Sequence, residues 1–194
     1  MDLTIAFKQS IALKEKYLQQ EELSAGLEQC IEILVGCYRR GGKVLLCGNG
    51  GSAADAQHLA AELSGRFYMD RPPLNAEALH VNTSFLTAVG NDYGFEKVYE
   101  RMVNAAGEKG DVLMAFSTSG KSPNILRALD AAQNKELVTI GFTGEYGGEM
   151  PGRCDILFSV PSVDTPRIQE VHILLGHIIC EQVERILFGN DEHE

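Results

Sequence analysis

The stretch KVLLCGNGGSAADAQHL, residues 43–59, decides how the rest of the chain is read. It opens on a short apolar run, passes through Gly48, Gly50 and Gly51, and continues as a helix-compatible segment. A strand that feeds a glycine turn and then a helix is the opening unit of an α/β fold. One glycine is explained by a tight turn, but the cluster brings bare backbone amides close to a ligand. Ser52 followed three residues later by Asp55 reads as a capping box. The loop therefore leads into the positive end of a helix dipole, where phosphate and carboxylate groups bind. Gly48-x-Gly50-x-x-Ala53 also fits a dinucleotide fingerprint formally. That reading needs an acid at the end of the next strand. The next apolar run, Ala76–Val81, carries Glu77 at its start and no acid at its end, which argues against a nicotinamide cofactor.

Downstream the same alternation continues. The apolar bursts Lys43–Gly48, Ala76–Val81, Asp111–Phe116, Leu137–Phe142 and Asp155–Val160 are separated by polar, helix-like stretches. Nearly continuous apolar runs fit strands covered on both faces, and the alternation predicts a parallel sheet. Residues 1–40 contain no proline and read as two helices meeting near Ser24-Ala25-Gly26. Residues 41–163 form the α/β core on this reading. Residues 164–188 hold one long helix from about Thr165 to Phe188, with Thr165 as cap and Pro166 at the first helical position. Its apolar residues cover most of its circumference, as in a helix buried on several sides, and with the N-terminal pair it predicts a surface for self-association. The tail, 189–194, is expected to be disordered. Together these segments make one domain, 1–194.

The chain has 194 residues, 44% hydrophobic and 23% charged, with a formal net charge of −10. Length and balance fit one soluble globular domain. An acidic total without any basic run argues against nucleic acid and anionic membranes as partners. The start carries an early acid and no continuous apolar segment, unlike a signal peptide, and no apolar run has the length of a spanning helix. Five scattered cysteines without a Cys-x-x-Cys pair fit a reducing, cytoplasmic setting.

A second loop, Ser117-Thr118-Ser119-Gly120-Lys121-Ser122-Pro123-Asn124, follows the third strand. Ser122 before Pro123 marks a helix start, and four hydroxyls beside free amides suit a phosphate monoester. Two anion-type helix starts after neighbouring strands lie where α/β sheets bind ligands. His58 and Glu62 stand one helical turn apart and share a face. They could hold a divalent ion such as zinc, or Glu62 could act as a general base, against the plainer reading of a solvated pair. Gln169 and His177 on the last helix are separated by about 12 Å of rise. Two ligands of one zinc lie only about 3 to 3.5 Å apart. Either these two side chains reach towards each other or they serve sites shared between subunits. His172 competes for the same role, and Gly90-Asn91-Asp92-Tyr93-Gly94 reads as turn chemistry between two helices.

CGNGGSAADAQHLAAELSGRF at 47–67, VGNDYGF at 89–95, FSTSGKSPN at 116–124 and DTPRIQEVHILLGH at 164–177 together resemble the phosphoheptose isomerase family of the sugar isomerase domain superfamily. The resemblance covers about 41–188. It implies a three-layer αβα sandwich around a five-stranded parallel sheet, in a homotetramer with sites between subunits. It implies one zinc ion per subunit on His58, Glu62, Gln169 and His177. Substrate contacts fall on Asn49, Gly50, Gly51, Ser52, Glu62, Asn91, Asp92, Ser117, Thr118, Ser119, Ser122 and Gln169. The implied chemistry is the interconversion of sedoheptulose 7-phosphate and glycero-manno-heptose 7-phosphate, the first step towards nucleotide-activated heptose. Glu62 is assigned as base and His177 as partner acid. The same superfamily holds non-enzymatic relatives, sugar-phosphate-sensing regulators and a replication-initiator-binding protein, and the presence of both Glu62 and His177 favours the enzyme.

Overall fold

The computed structural model describes residues 3–189, so the expectation for the tail, His193 included, falls on residues 190–194, outside the described residues. Two N-terminal helices, α1 (Ile5–Leu18) and α2 (Glu21–Arg39), lead into an alternating core. That core runs β1 (Val44–Gly48), α3 (Gly51–Ser64), β2 (Ala76–Ala78), α4 (Thr83–Tyr93), a 3₁₀ turn, α5 (Val98–Ala106), β3 (Val112–Phe116), α6 (Pro123–Asn134), β4 (Val138–Thr143) and β5 (Ile156–Ser159). The long α7 (Thr165–Phe188) closes the chain.

The five strands form one parallel sheet in the order β2-β1-β3-β4-β5. β1 and β3 lie side by side with every residue buried, which explains their unbroken apolar sequence. Alternate side chains then divide between two layers. Val44, Leu46, Val112, Met114 and Phe116 join a core with α1, α2, α3 and α7, whereas Leu45, Cys47, Leu113 and Ala115 join one with α4, α5 and α6. The result is the expected αβα sandwich. No helix among the described residues is long and apolar enough to cross a membrane.

Three local expectations shift. The first two helices part at Gln19–Gln20 rather than at Ser24-Ala25-Gly26. Gln20 is extended, Glu21 and Glu22 favour the new helix start, and Gly26 lets α2 pass the Phe158 ring. α7 is capped at Asp164, with Thr165 as its first residue. Its apolar surface is not wholly covered either, since Leu174 and Ile186 remain exposed.

Two contacts hold α7 in place. Gly176 faces α3, where a side-chain carbon would stand 2.4 Å from a Leu59 methyl. His172 is fully buried against the rings of Phe116 and Phe142, and its Nε2 lies 3.1 Å from the Thr143 carbonyl. It is a core residue and belongs to no ligand cluster. Burial lowers its pKa from 6.5 to about 4, against a smaller upward pull from the Thr143 carbonyl.

Gly176→Val is expected to cost about 1–3 kcal/mol through overpacking, read as a lower denaturant midpoint. His172 stays neutral in the folded chain while the unfolded chain takes up a proton below pH 6.5. Its contribution is therefore present above pH 6.5 and is lost as the pH falls towards 4, by about 3 kcal/mol. His172→Gln is expected to flatten the fall in stability between pH 7 and 4 by that amount, measured by denaturant unfolding at each pH.

Candidate active site

The strand order changes direction between β1 and β3, because β2 lies on one side of β1 and β3 on the other. Such a switch point opens a crevice at the carboxyl ends of the two strands. The glycine loop after β1 and the hydroxyl loop after β3 meet there. Asn49 and Asn124 tie them with a reciprocal amide pair, Asn49 Nδ2 donating to Asn124 Oδ1 at 2.9 Å and Asn124 Nδ2 to Asn49 Oδ1 at 2.8 Å. Asn124 is buried. The Asn49 side chain, expected at the substrate, thus also joins the two loops, and the pair leaves its amide a second N–H and a second lone pair.

Neither helix start uses the expected side-chain cap. α3 begins at Gly51 after Gly50, whose φ of 57° is open only to glycine at little cost. Ser52 lies inside the first turn and is buried, so the Ser52–Asp55 capping box is not formed. Burial instead raises the Asp55 carboxyl to about 6, with His58 pulling it down. Ser122 occupies the cap position of α6, but its hydroxyl lies 3.1 Å from Ser117 Oγ instead of on a helix amide. Both helices therefore begin without a side-chain cap, and the Ser52 and Ala53 amides turn back to the Asn49 and Gly50 carbonyls at 3.0 and 3.1 Å, the Ile125 amide to the Ser122 carbonyl at 3.0 Å. Ser119 Oγ accepts from the Lys121 amide at 3.2 Å. Beside this loop, Thr118, Ser119, Lys121, Gly144, Glu145 and Ser162 line a hollow of about 250 Å³.

Three of the four expected metal ligands come together. His58 Nε2 lies 3.0 Å from Glu62 Oε1 and 3.5 Å from His177 Nε2. One ligand atom from each of the three sits within 4.8 Å of the others. Two imidazole nitrogens facing each other beside a carboxylate either share a proton or surround a cation. The spacing and the N,N,O donor set fit zinc or a similar divalent ion. Gln169 turns to the glycine loop, its Nε2 3.5 Å from Ser52 Oγ. A side chain at Gly51 would start 2.6 Å from that Nε2, so a substitution there displaces the end of the Gln169 side chain. Asn91 and Asp92 bond to each other at 2.8 Å on the exposed last turn of α4.

Arg71 and Glu184 escaped the reading of the sequence. Their buried side chains pair at 2.9 Å across the C-terminal ends of α3 and α7. The signal available was an acid seven residues beyond His177 on an apolar helix face. Burial works to raise the Glu184 carboxyl, but bonds accepted from Phe67, Met69 and Tyr68 amides and from Arg71 hold it below its ordinary value.

The SIS domain profile matches residues 7–144. The phosphoheptose isomerase of Burkholderia pseudomallei is 56% identical over 172 residues, covering 89% of this chain and 87% of its own. The solved phosphoheptose isomerase of Neisseria gonorrhoeae superposes with a TM-score of 0.87 at 42% identity, covering 94% of this chain and 96% of that one. The enzyme from Francisella tularensis gives 0.89 at 39% identity, over 93% and 95%. With the αβα fold, the two anion-type helix starts and the His-Glu-His cluster, these likenesses place the chain in the phosphoheptose isomerase family of SIS-domain proteins.

Proposed function

We propose that residues 1–194 act as one sugar isomerase domain that interconverts sedoheptulose 7-phosphate and glycero-manno-heptose 7-phosphate, the first step of nucleotide-activated heptose biosynthesis. The observation that carries this reading is the convergence of His58, Glu62 and His177 on one point, with His58 and Glu62 on the helix that the glycine loop opens. The phosphate takes amides at the starts of α3 and α6 and the hydroxyls of Ser52, Ser117, Thr118, Ser119 and Ser122. Asn49, Gly50, Gly51, Asn91, Asp92 and Gln169 contact the sugar. A phosphate held there places the other end of the sugar towards the cluster.

Isomerisation moves a proton between C1 and C2 through an enediolate. Glu62 takes the proton from C1 of the ketose while His177 supplies one to O2. Return of a proton to C2 and loss of the O1 proton complete the aldehyde. His58, Glu62 and His177 would hold one zinc ion per subunit, with Gln169, turned to the glycine loop in its own chain, completing the set in a site shared between subunits. When bound, that ion supplies Lewis-acid polarisation of the sugar oxygens. Glu62 keeps a second carboxylate oxygen and His177 a second ring nitrogen, so holding the ion leaves each an atom for proton exchange.

The assembly is a homotetramer with sites shared between subunits. Its support is the apolar surface of α1 and α7, where Phe7, Ile11, Leu18 and Leu174 are exposed. Ile11, Leu18, Leu23, Leu27, Leu174 and Ile178 line a groove of about 340 Å³ on that face. The five free cysteines support a cytoplasmic setting.

Glu62→Gln is expected to lower kcat by about 10²–10⁴ while leaving phosphate-dependent binding in place. Turnover within about tenfold of the parent would remove Glu62 from the role of base. A panel of sugar phosphates, run after chelation and again with zinc restored, tests the whole reading. Isomerisation of the heptose phosphate that needs metal supports it. Binding without turnover of any sugar phosphate would overturn it in favour of a regulatory binding module.

A further inference from the structure

α3 supplies His58 and Glu62, and α7 supplies His177, so the cluster exists only while the two helices keep their spacing and rotation. The residues that set this are found beyond the cluster. Glu184 is 1% exposed and accepts from the backbone amides of Phe67, Tyr68 and Met69 at 2.9, 2.7 and 2.9 Å, and from Arg71 Nε at 2.9 Å. Arg71 turns its guanidinium nitrogens to the end of α3 and to its own neighbour Pro72, whose carbonyl accepts from Nη1 at 3.1 Å. Nη2 donates to the Glu62 carbonyl at 2.9 Å, and Nη1 to those of Leu63 at 2.7 Å and Gly65 at 3.2 Å. Carbonyls at a helix C-terminus lack intrahelical partners, and a cation there complements the helix dipole. The Phe67 ring, whose amide Glu184 holds, lies 5.7 Å from the His177 ring, which in turn meets His58 at 5.1 Å.

We infer that the Arg71–Glu184 pair is a positioning clamp for the His58-Glu62-His177 cluster. Arg71 holds the backbone of Glu62 itself, and Glu184 holds both Arg71 and the segment that seats Phe67 on His177. The links are charge-assisted or backbone hydrogen bonds, most of them part-buried, completed by the ring contact of Phe67 with His177. The inference rests on the metal-binding reading of the cluster.

The test uses Glu184→Asp, which keeps the charge but shortens the reach, and Arg71→Lys, which keeps the charge but loses the guanidinium fork. Val35→Ala, a small cavity in the same core at a residue outside the clamp's hydrogen bonds, serves as control. Each full-length protein is checked for its fold by circular dichroism, then titrated with zinc against a chromophoric chelator and assayed for kcat and KM. Partners that orient ligands are typically worth about 10–100-fold in metal affinity. The clamp variants are expected to fold, to bind zinc at least tenfold more weakly and to lose kcat with KM within about threefold, whereas Val35→Ala keeps the parental affinity. Clamp variants that fold and match the parent in zinc affinity would overturn the inference. So would failure of both to fold, which would assign the pair to folding alone. A parent that binds no zinc would instead overturn the metal-binding reading on which the clamp depends.

Discussion

The close approach of α3 to α7 is the constraint on which the site rests. Gly176 allows it by leaving Leu59 room, and His58 and Glu62 on one helix then stand within reach of His177 on the other. Helices packed with side chains between them sit 8–10 Å apart. A small residue at the contact removes one layer of that separation. The same approach seats Gln169 against Gly51 at the start of α3. Two glycines thus hold the helices in register, one at the ligand loop and one beside the histidine. Core packing and chemistry share this seam.

An acidic chain binding an acidic substrate is resolved by the same geometry. The net charge of −10 describes the surface as a whole. The crevice between β1 and β3 offers helix amides without side-chain acceptors, the hydroxyls of Ser117 and Ser122 paired within hydrogen-bond distance, and Lys121 as the cation of the two loops. On the function proposed above, neutral donors hold the phosphate by short-range contacts, which an overall charge of the same sign weakens little over a Debye length. The Asn49–Asn124 pair keeps the two donor sets together.

Much of this was legible in the sequence because it is local. Five apolar bursts marked five strands, and their nearly continuous runs marked a parallel sheet covered on both faces. The i,i+4 spacing put His58 and Glu62 on one face. What was hidden depended on distant residues. The separation of Gln169 from His177 left two arrangements open, and only the packing of α7 showed Gln169 at the glycine loop and His177 at the cluster. His172 matched the spacing equally well, and its burial against Phe116 and Phe142 removed it. Helix boundaries moved where a neighbour decided them, as at Gly26 beneath Phe158. Arg71 and Glu184 are 113 residues apart, a separation across which no local pattern operates.

The central claim is that α3 and α7 together make a metal-dependent isomerase centre. It is tested most directly by diffraction from zinc-loaded crystals, with anomalous difference maps recorded on both sides of the zinc edge. The account predicts one strong peak per subunit within bonding distance of His58 Nε2, His177 Nε2 and a Glu62 oxygen. A protein that isomerises heptose phosphate while its zinc peak lies elsewhere, or while no peak is present, would contradict it.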